Sequence, residues 1–386
     1  MHDILRRTWA EINLDCLEHN LTVIRSATSQ SADIIAVVKA NAYGHGAIPV
    51  AKTLRDAGIN YFAVSNLDEA LQLRNAGITQ PILILSYTPA CEAATLAAYN
   101  IAQAVVSLSH AQALNEAAKT ANVTVTIHIK MDTGMSRVGF VHQTDMDRNA
   151  AADEIAIATQ LSHLHAEGIF THFATADEQD AAMTHLQFER FTQTVQDLSD
   201  KGIHFTVRHC CNSAALERFP EMHLDLVRPG IILYGLAPDA SWMGNLLPLK
   251  PVMQLKTTVS MIKTIPRGAV VSYGATFTAS RDMRVATVPI GYADGYPRRM
   301  KGKAYMLING QKAPLIGRVC MDQCVLDVTD ITVNEGDEVT VFGEGLSTDV
   351  YASFMDTINY EAVCMVGKRV PRVYIKDGVC VHREQH

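Results

Sequence analysis

The sequence predicts an α/β chain, with an N-terminal (β/α)₈ barrel of the TIM type and a C-terminal all-β domain. Three observations predict it. Through the first two thirds of the chain, eight short apolar runs rich in β-branched residues alternate with amphipathic segments. Apolar strands separated by helices are the pattern of a parallel sheet covered on both faces. After about Asp239 the pattern changes to short strands punctuated by turns. With 386 residues, 48% of them hydrophobic, the chain can bury two separate cores.

Taken in order, residues 8–14 read as a strand, followed by a helix with Asp15 near its N-cap. That strand can join either domain. The barrel strands are expected at 34–38, 61–64, 81–85, 101–106, 123–129, 164–170, 205–208 and 224–233. Segments such as 67–76 and 181–198 supply the covering helices. A doubly wound open sheet is the competing architecture. Eight strands before the pattern breaks favour the closed barrel. Strands of the second domain are expected at 255–262, 285–289, 305–307, 324–328 and 338–342, with turns at Asn309-Gly310 and Asn334-Glu335-Gly336-Asp337. The expected domains are 13–239 and 240–386, the second joined by an N-terminal strand within 1–12.

Composition removes several classes of function. A net charge of −7 argues against a nucleic-acid surface. Eight cysteines are scattered without a repeating C-x-x-C pattern, so no metal site is expected and free thiols in a reducing compartment are the simpler reading. The first residues lack the apolar run of a signal peptide, and no stretch has the length of a membrane span. A cytoplasmic protein is the expectation.

In a (β/α)₈ barrel the chemistry gathers at the C-terminal ends of the strands. The first strand leads to Lys39. Partial desolvation at a barrel mouth favours the neutral amine that Schiff-base chemistry needs; a solvated strand-end lysine is the ordinary alternative. The fifth leads to Lys130, Asp132 and Arg137, which can bind an anion or form a loop salt bridge. The sixth leads to His172, which alone is more often structural than a base. The seventh leads to His209 and then Asn212-Ser213, polar residues that can open a phosphate-binding helix or simply cap it. The eighth carries Arg228-Pro229-Gly230-Ile231, where glycine permits close backbone approach. In the second domain, Ser272-Tyr273-Gly274, the stretch from Gly291 to Tyr296 and the stretch from Gly317 to Gln323 each read as turn chemistry on their own.

Together these segments resemble the alanine racemase family. The stretches that carry the resemblance are Val37-Val38-Lys39-Ala40-Asn41-Ala42-Tyr43-Gly44-His45-Gly46 and Gly317-Arg318-Val319-Cys320-Met321-Asp322-Gln323. The match runs from Trp9-Ala10-Glu11-Ile12 to Arg369-Val370-Pro371-Arg372-Val373-Tyr374. The resemblance implies a pyridoxal 5'-phosphate enzyme that racemises alanine as a homodimer. Lys39 is similar to the lysine that carries the cofactor, and Tyr273 to the opposing base, contributed by the other subunit. Tyr43, Ser213, Gly230, Ile231 and Tyr360 match phosphate-binding positions, with Leu85 and Asn212 among the cofactor contacts. Arg228 matches the arginine facing the pyridine nitrogen, and His172 its hydrogen-bonded neighbour. Arg137 and Met321 match positions that meet the substrate carboxylate. Lys130 matches a lysine often carbamylated to N6-carboxylysine. Tyr292 and Tyr360 match tyrosines at the entrance. Adjacent Cys210-Cys211 depart from the expected pattern and bring oxidation sensitivity close to the cofactor pocket.

The chemistry explains this set. Racemisation removes an α-proton from one face and returns one to the other, which two groups on opposite faces do better than one. The implied role is supply of D-alanine for peptidoglycan and the cell wall. A serine or broader small-amino-acid racemase is the alternative; a tyrosine at position 360 favours the smaller alanine side chain. A carrier of the cofactor without turnover would lack the second domain with Tyr273. A related decarboxylase would protect the α-proton, against which Tyr273 and Arg228 argue.

Overall fold

The computed structural model describes residues 7–239 and 246–384. The expected boundary near 239/240 and part of the expected first strand, residues 1–6, lie outside the described residues. Two compact units emerge. One is built from residues 18–42 and 47–249, the other from 7–17, 43–46 and 250–384, within the described residues.

The first unit is a closed barrel of eight parallel strands: β1 (Asp33–Val37), β2 (Tyr61–Val64), β3 (Ile82–Ile84), β4 (Ile101–Val105), β5 (Val125–Asp132), β6 (Leu164–Phe170), β7 (Val207–His209) and β8 (Leu226–Val227). Closure runs through β8, which pairs with β1 at Leu226↔Asp33 and Val227↔Ile34. The open doubly wound alternative is thereby excluded. β2 and β4 are buried along their whole length, because the barrel interior covers one face and helices the other. Side-chain caps start the covering helices: Asn66 accepts from the Glu69 N–H ahead of Leu67–Asn75, and Ser107 from the His110 N–H ahead of Leu108–Thr120.

Two barrel strands differ from the expectation. β5 runs on to Asp132, so Lys130 lies within the strand, where it pairs with Phe170 of β6. β8 is two residues long, because Pro229 lacks an N–H to extend the ladder and the chain turns into a 3₁₀ segment at Ile231–Tyr234.

The second unit holds a ten-stranded sheet and two short helices, Thr348–Ser353 and Asn359–Cys364. The strand Thr8–Asn13 lies in this sheet, antiparallel to Met253–Thr258 and parallel to Arg372–Lys376. Asn13, rather than Asp15, caps the following helix, its side chain accepting from the Cys16 N–H. The expected strand at 255–262 is two strands, Met253–Thr258 and Met261–Ile265, which pair with different neighbours. Asn309-Gly310 closes a two-residue hairpin with φ values of 51° and 75°, the left-handed pair that this turn requires. Among the described residues no helix is long and apolar enough to cross a membrane.

Candidate active site

The predicted site residues fall in both units. In the barrel unit all but Lys130, which lies within β5 near its end, follow C-terminal strand ends. Lys39 stands two residues past β1, half-buried, and Leu85 directly follows β3. Beyond Lys39 the backbone makes a left-handed turn that sequence patterning does not reveal: Ala40, Asn41, Ala42 and Tyr43 have φ of 52° to 54°. Each non-glycine residue there costs about 1–2 kcal/mol. Local hydrogen bonds hold the turn, from the Ala40 N–H to Glu69 Oε1 (2.6 Å) and from the Ala47 N–H to Asn41 Oδ1 (2.8 Å).

Arg228 follows β8 and is buried. Its Nη1 donates to His209 Nδ1 (2.7 Å), and its Nη2 to the carbonyls of Thr171 (2.8 Å) and Cys210 (3.0 Å), with His172 Nδ1 at 3.3 Å. Burial pushes this guanidinium down to about 10. Lys130 is buried too; its Nζ donates to the Met131 carbonyl and lies over the Phe170 ring, as does Arg228. Burial first, then Arg228 and Arg137, push Lys130 down to about 7, against the pull of Asp132. Asp132 Oδ1 accepts from the N–H groups of Gly134, Met135 and Ser136 and so shapes the loop that presents Arg137. Desolvation holds His172 well below the ordinary histidine range, and Arg228, Lys130, Arg137 and Lys39 all add to it. Three cationic side chains and the Lys130 amine thus act on one imidazole.

After β7, Asn212 caps the helix Ser213–Arg218 by accepting from the Ala215 N–H (3.0 Å). Ser213 Oγ accepts from the Gly230 N–H (2.9 Å), tying the β7 and β8 loops together, and Ile231 is fully buried beside it. Cys210 and Cys211 are buried, and both thiols donate to the Met222 carbonyl (3.0 and 3.1 Å).

In the β unit, Tyr43 is buried and Tyr360 half-buried, with ring centroids 6.3 Å apart. Tyr273 and Met321 line a surface cavity of about 480 Å³ with Ser272, Cys320, Asp322 and Gln323. Tyr273 is 70% exposed. Ser272 Oγ donates to the Arg318 carbonyl (2.6 Å), and the N–H groups of Tyr292 and Ala293 donate to the carbonyls of Cys320 and Met321. Tyr273, Tyr292 and Met321 are therefore held in one neighbourhood.

Comparisons with known proteins agree along the chain. The family description "Alanine racemase, N-terminal domain" matches residues 12–238, and "Alanine racemase, C-terminal domain" matches 252–374. Alanine racemase 1 of Clostridium acetobutylicum is 46% identical over 382 residues, covering 98% of this chain and 97% of that one. The chain belongs to the alanine racemase family. It is accordingly an isomerase of that type. Among solved structures, the alanine racemase of Clostridium difficile 630 superposes with a TM-score of 0.93 at 39% identity, covering 99% of both chains. That of Bacillus anthracis with bound L-Ala-P gives 0.93 at 36% identity, covering 99% of this chain and 98% of that one.

Sequence reading gave this family member's Asp294 no role, although it lies within the quoted Gly291–Tyr296 stretch. The carboxylate is fully buried. It accepts from Arg7 (2.8 and 3.0 Å), Arg369 (2.8 Å) and the Gly291 N–H (2.9 Å), and so anchors the segment bearing Tyr292. Desolvation opposes its ionisation, but the two guanidiniums and the Gly291 N–H outweigh it and hold the group below the usual carboxylate range. Its stabilising effect is therefore complete above the unfolded value of about 4 and lost as pH falls through the lower folded one. Asp294→Ala is expected to cost about 3 kcal/mol at pH 7, a penalty that shrinks in acid. Urea unfolding of both proteins at pH 7 and pH 3 checks this; equal midpoints at pH 7 would refute it.

Proposed function

We propose that this protein interconverts L- and D-alanine with pyridoxal 5'-phosphate as cofactor, and supplies D-alanine for peptidoglycan from the cytoplasm. The observation that carries this reading is the gathering of Lys39, Arg137 and Arg228 about His172 at the barrel mouth, beside the cradle in which Ser213 Oγ accepts from the Gly230 N–H (2.9 Å). Positive charge gathered there, on buried Arg228, half-buried Lys39 and exposed Arg137, suits an anionic ligand. The donors fit a phosphate ester bearing an aldehyde: an amine at Lys39, a capped helix start at Asn212-Ser213 with the Gly230 backbone beside it, and a guanidinium at Arg228. Leu85, Ile231, Tyr43 and Tyr360 would complete the cofactor's surroundings. When bound, the cofactor supplies the electron sink that makes an α-proton removable.

The chain's own residues do the rest. Lys39 would hold the cofactor and move a proton at one face of the substrate Cα. Tyr273 would move the proton at the other face. Its exposure on its own unit supports a role in a partner subunit's site, within a homodimer. Arg137 and the Met321 backbone would hold the substrate carboxylate. Arg228 stays protonated and is a poor proton donor. Tyr292 and Tyr360 would narrow the entrance and limit side-chain size. The proposed second domain begins at 240 and takes in the first strand; the two compact units divide at 249/250.

A coupled D-amino-acid assay over alanine, serine and larger substrates, with and without added cofactor, tests this. Alanine is expected to give the highest kcat/KM; a higher value for serine would replace the substrate assignment.

Lys130 is the proposed carbamylation site. Buried and pushed down to about 7, its amine is neutral enough near physiological pH to take up carbon dioxide. The resulting anion would lie among Arg137 and Arg228. Protein equilibrated with ¹³C-bicarbonate should show a carbamate resonance that grows as pH rises through about 7 and is missing in Lys130→Met. No resonance at any pH would dismiss the modification.

A further inference from the structure

Beneath Arg228 the barrel interior contains a row of ionisable side chains that the mechanism above does not use. His209 Nδ1 accepts from Arg228 Nη1 (2.7 Å), and His209 Nε2 lies 3.0 Å from His128 Nδ1. His128 Nε2 lies 3.0 Å from Glu167 Oε2 and 3.1 Å from Tyr61 Oη, which itself donates to Glu167 Oε2 at 3.3 Å. Both imidazoles are fully buried, while Glu167 is about one third exposed.

The two ends set the direction of the row. A guanidinium has no acceptor, so Arg228 donates and His209 Nδ1 accepts. His209 must then carry its proton on Nε2 and donate it to His128 Nδ1. His128 must likewise carry its proton on Nε2 and donate it toward Glu167, which as a carboxylate can only accept. One arrangement of protons satisfies all four groups with both histidines neutral. Burial pushes both imidazoles down, and the hydrogen bond from His128 is the main influence holding Glu167 down, so the charge states agree.

The backbone is built around this row. Between β5 and β6 the register passes from Ile127↔Ala166 to His128↔Gly168, leaving Glu167 as the extra residue of a bulge that turns its carboxylate toward His128. Gly168 leaves room for the ring: a Cβ there would stand 2.5 Å from His128 Nδ1. Phe170 stacks on His209 with centroids 4.7 Å apart and planes at 9°.

We propose that Glu167, His128 and His209 are positioning residues for Arg228, a directional hydrogen-bond relay that fixes the Nε2–H form of both histidines and presents a lone pair to the guanidinium. Without the carboxylate, His128 is free to reverse, His209 reverses with it, and an N–H then confronts Arg228. The guanidinium would lose its aim. The relay's effect on catalysis rests on the racemase reading; the relay itself does not.

The test uses the full-length protein with ¹⁵N-labelled histidine, cofactor-free and loaded, as the parent and as Glu167→Leu, Glu167→Gln and Gly168→Ala. In the cofactor-free parent, both histidines should show a protonated Nε2 and an unprotonated Nδ1. Glu167→Leu should mix the two forms and lower racemisation kcat about tenfold with little change in KM, equivalent to about 1.4 kcal/mol. Glu167→Gln, which keeps an acceptor, should restore both the nitrogen spectrum and most of the rate. Gly168→Ala should disturb the His128 signals while Glu167 remains. Parent-like nitrogen spectra in Glu167→Leu would overturn the proposal. So would altered spectra with an unchanged kcat, or a rate loss that tracks the unfolding midpoint and is not rescued by glutamine. A parent with ordered tautomers but no racemisation would instead overturn the functional reading.

Discussion

Replacing Lys39 with alanine should abolish racemisation, lowering kcat by about 10⁴-fold or more in both directions. The expectation follows from position. Lys39 is carried by a buried strand to the barrel mouth and held there by a left-handed turn. No other lysine belongs to that turn, so loss of the amine removes a reactive group that a neighbour cannot replace. The side chain is half-buried, so its truncation should leave folding nearly intact. Initial rates from L- and D-alanine, with circular dichroism as a folding control, check this. Borohydride treatment of the loaded parent should fix the cofactor to Lys39 and leave none on the variant. A folded Lys39→Ala protein within tenfold of the parent rate would end the assignment.

Replacing Tyr273 with phenylalanine should lower racemisation by about 10²–10⁴-fold, yet leave one half of the chemistry in place. With Lys39 intact, one enantiomer should still exchange its α-proton for deuterium in heavy water while keeping its configuration. A second readout tests sharing between subunits. Mixed and reassembled, the inactive Lys39→Ala and Tyr273→Phe chains should regain about a quarter of parent activity. Half of the randomly formed dimers are then hybrids, and each hybrid holds one intact site. No recovery from verified hybrid dimers would place both groups in one subunit's site. Loss of exchange for both enantiomers would deny Tyr273 its assignment to a single face.

Why some residues were readable and others not follows from how each is specified. Lys39 and His172 were found because each follows an apolar strand, and strand ends are marked by the change from continuous burial to polar residues. Arg228 was expected within the eighth strand and stood out through the Pro229-Gly230 that follows it, whereas the folded strand ends at Val227. Asn212 was readable for a similar reason, as a cap before small residues. Asp294 was not, because its partners Arg7 and Arg369 lie 287 and 75 residues away from it along the chain. Nor was the pairing of His128 with Glu167. Strand alternation predicts which face a residue occupies, and the bulge at Glu167 breaks that alternation. The left-handed turn after Lys39 escaped as well, since Ala40, Asn41 and Ala42 are not residues whose local preference demands it.

Periodicity, turn residues and the two extended motifs were enough to define eight barrel strands, a change from barrel to all-β architecture and a family. These are local properties, encoded in hydrophobic spacing and backbone preference within a few residues. Barrel closure through β8 and β1, the sheet that takes up Thr8–Asn13, the depressed Lys130 amine and the orientation of Arg228 depend instead on groups brought together from distant parts of the chain. Burial and hydrogen-bond direction are set by all neighbours at once, so they come into being only when the chain has folded.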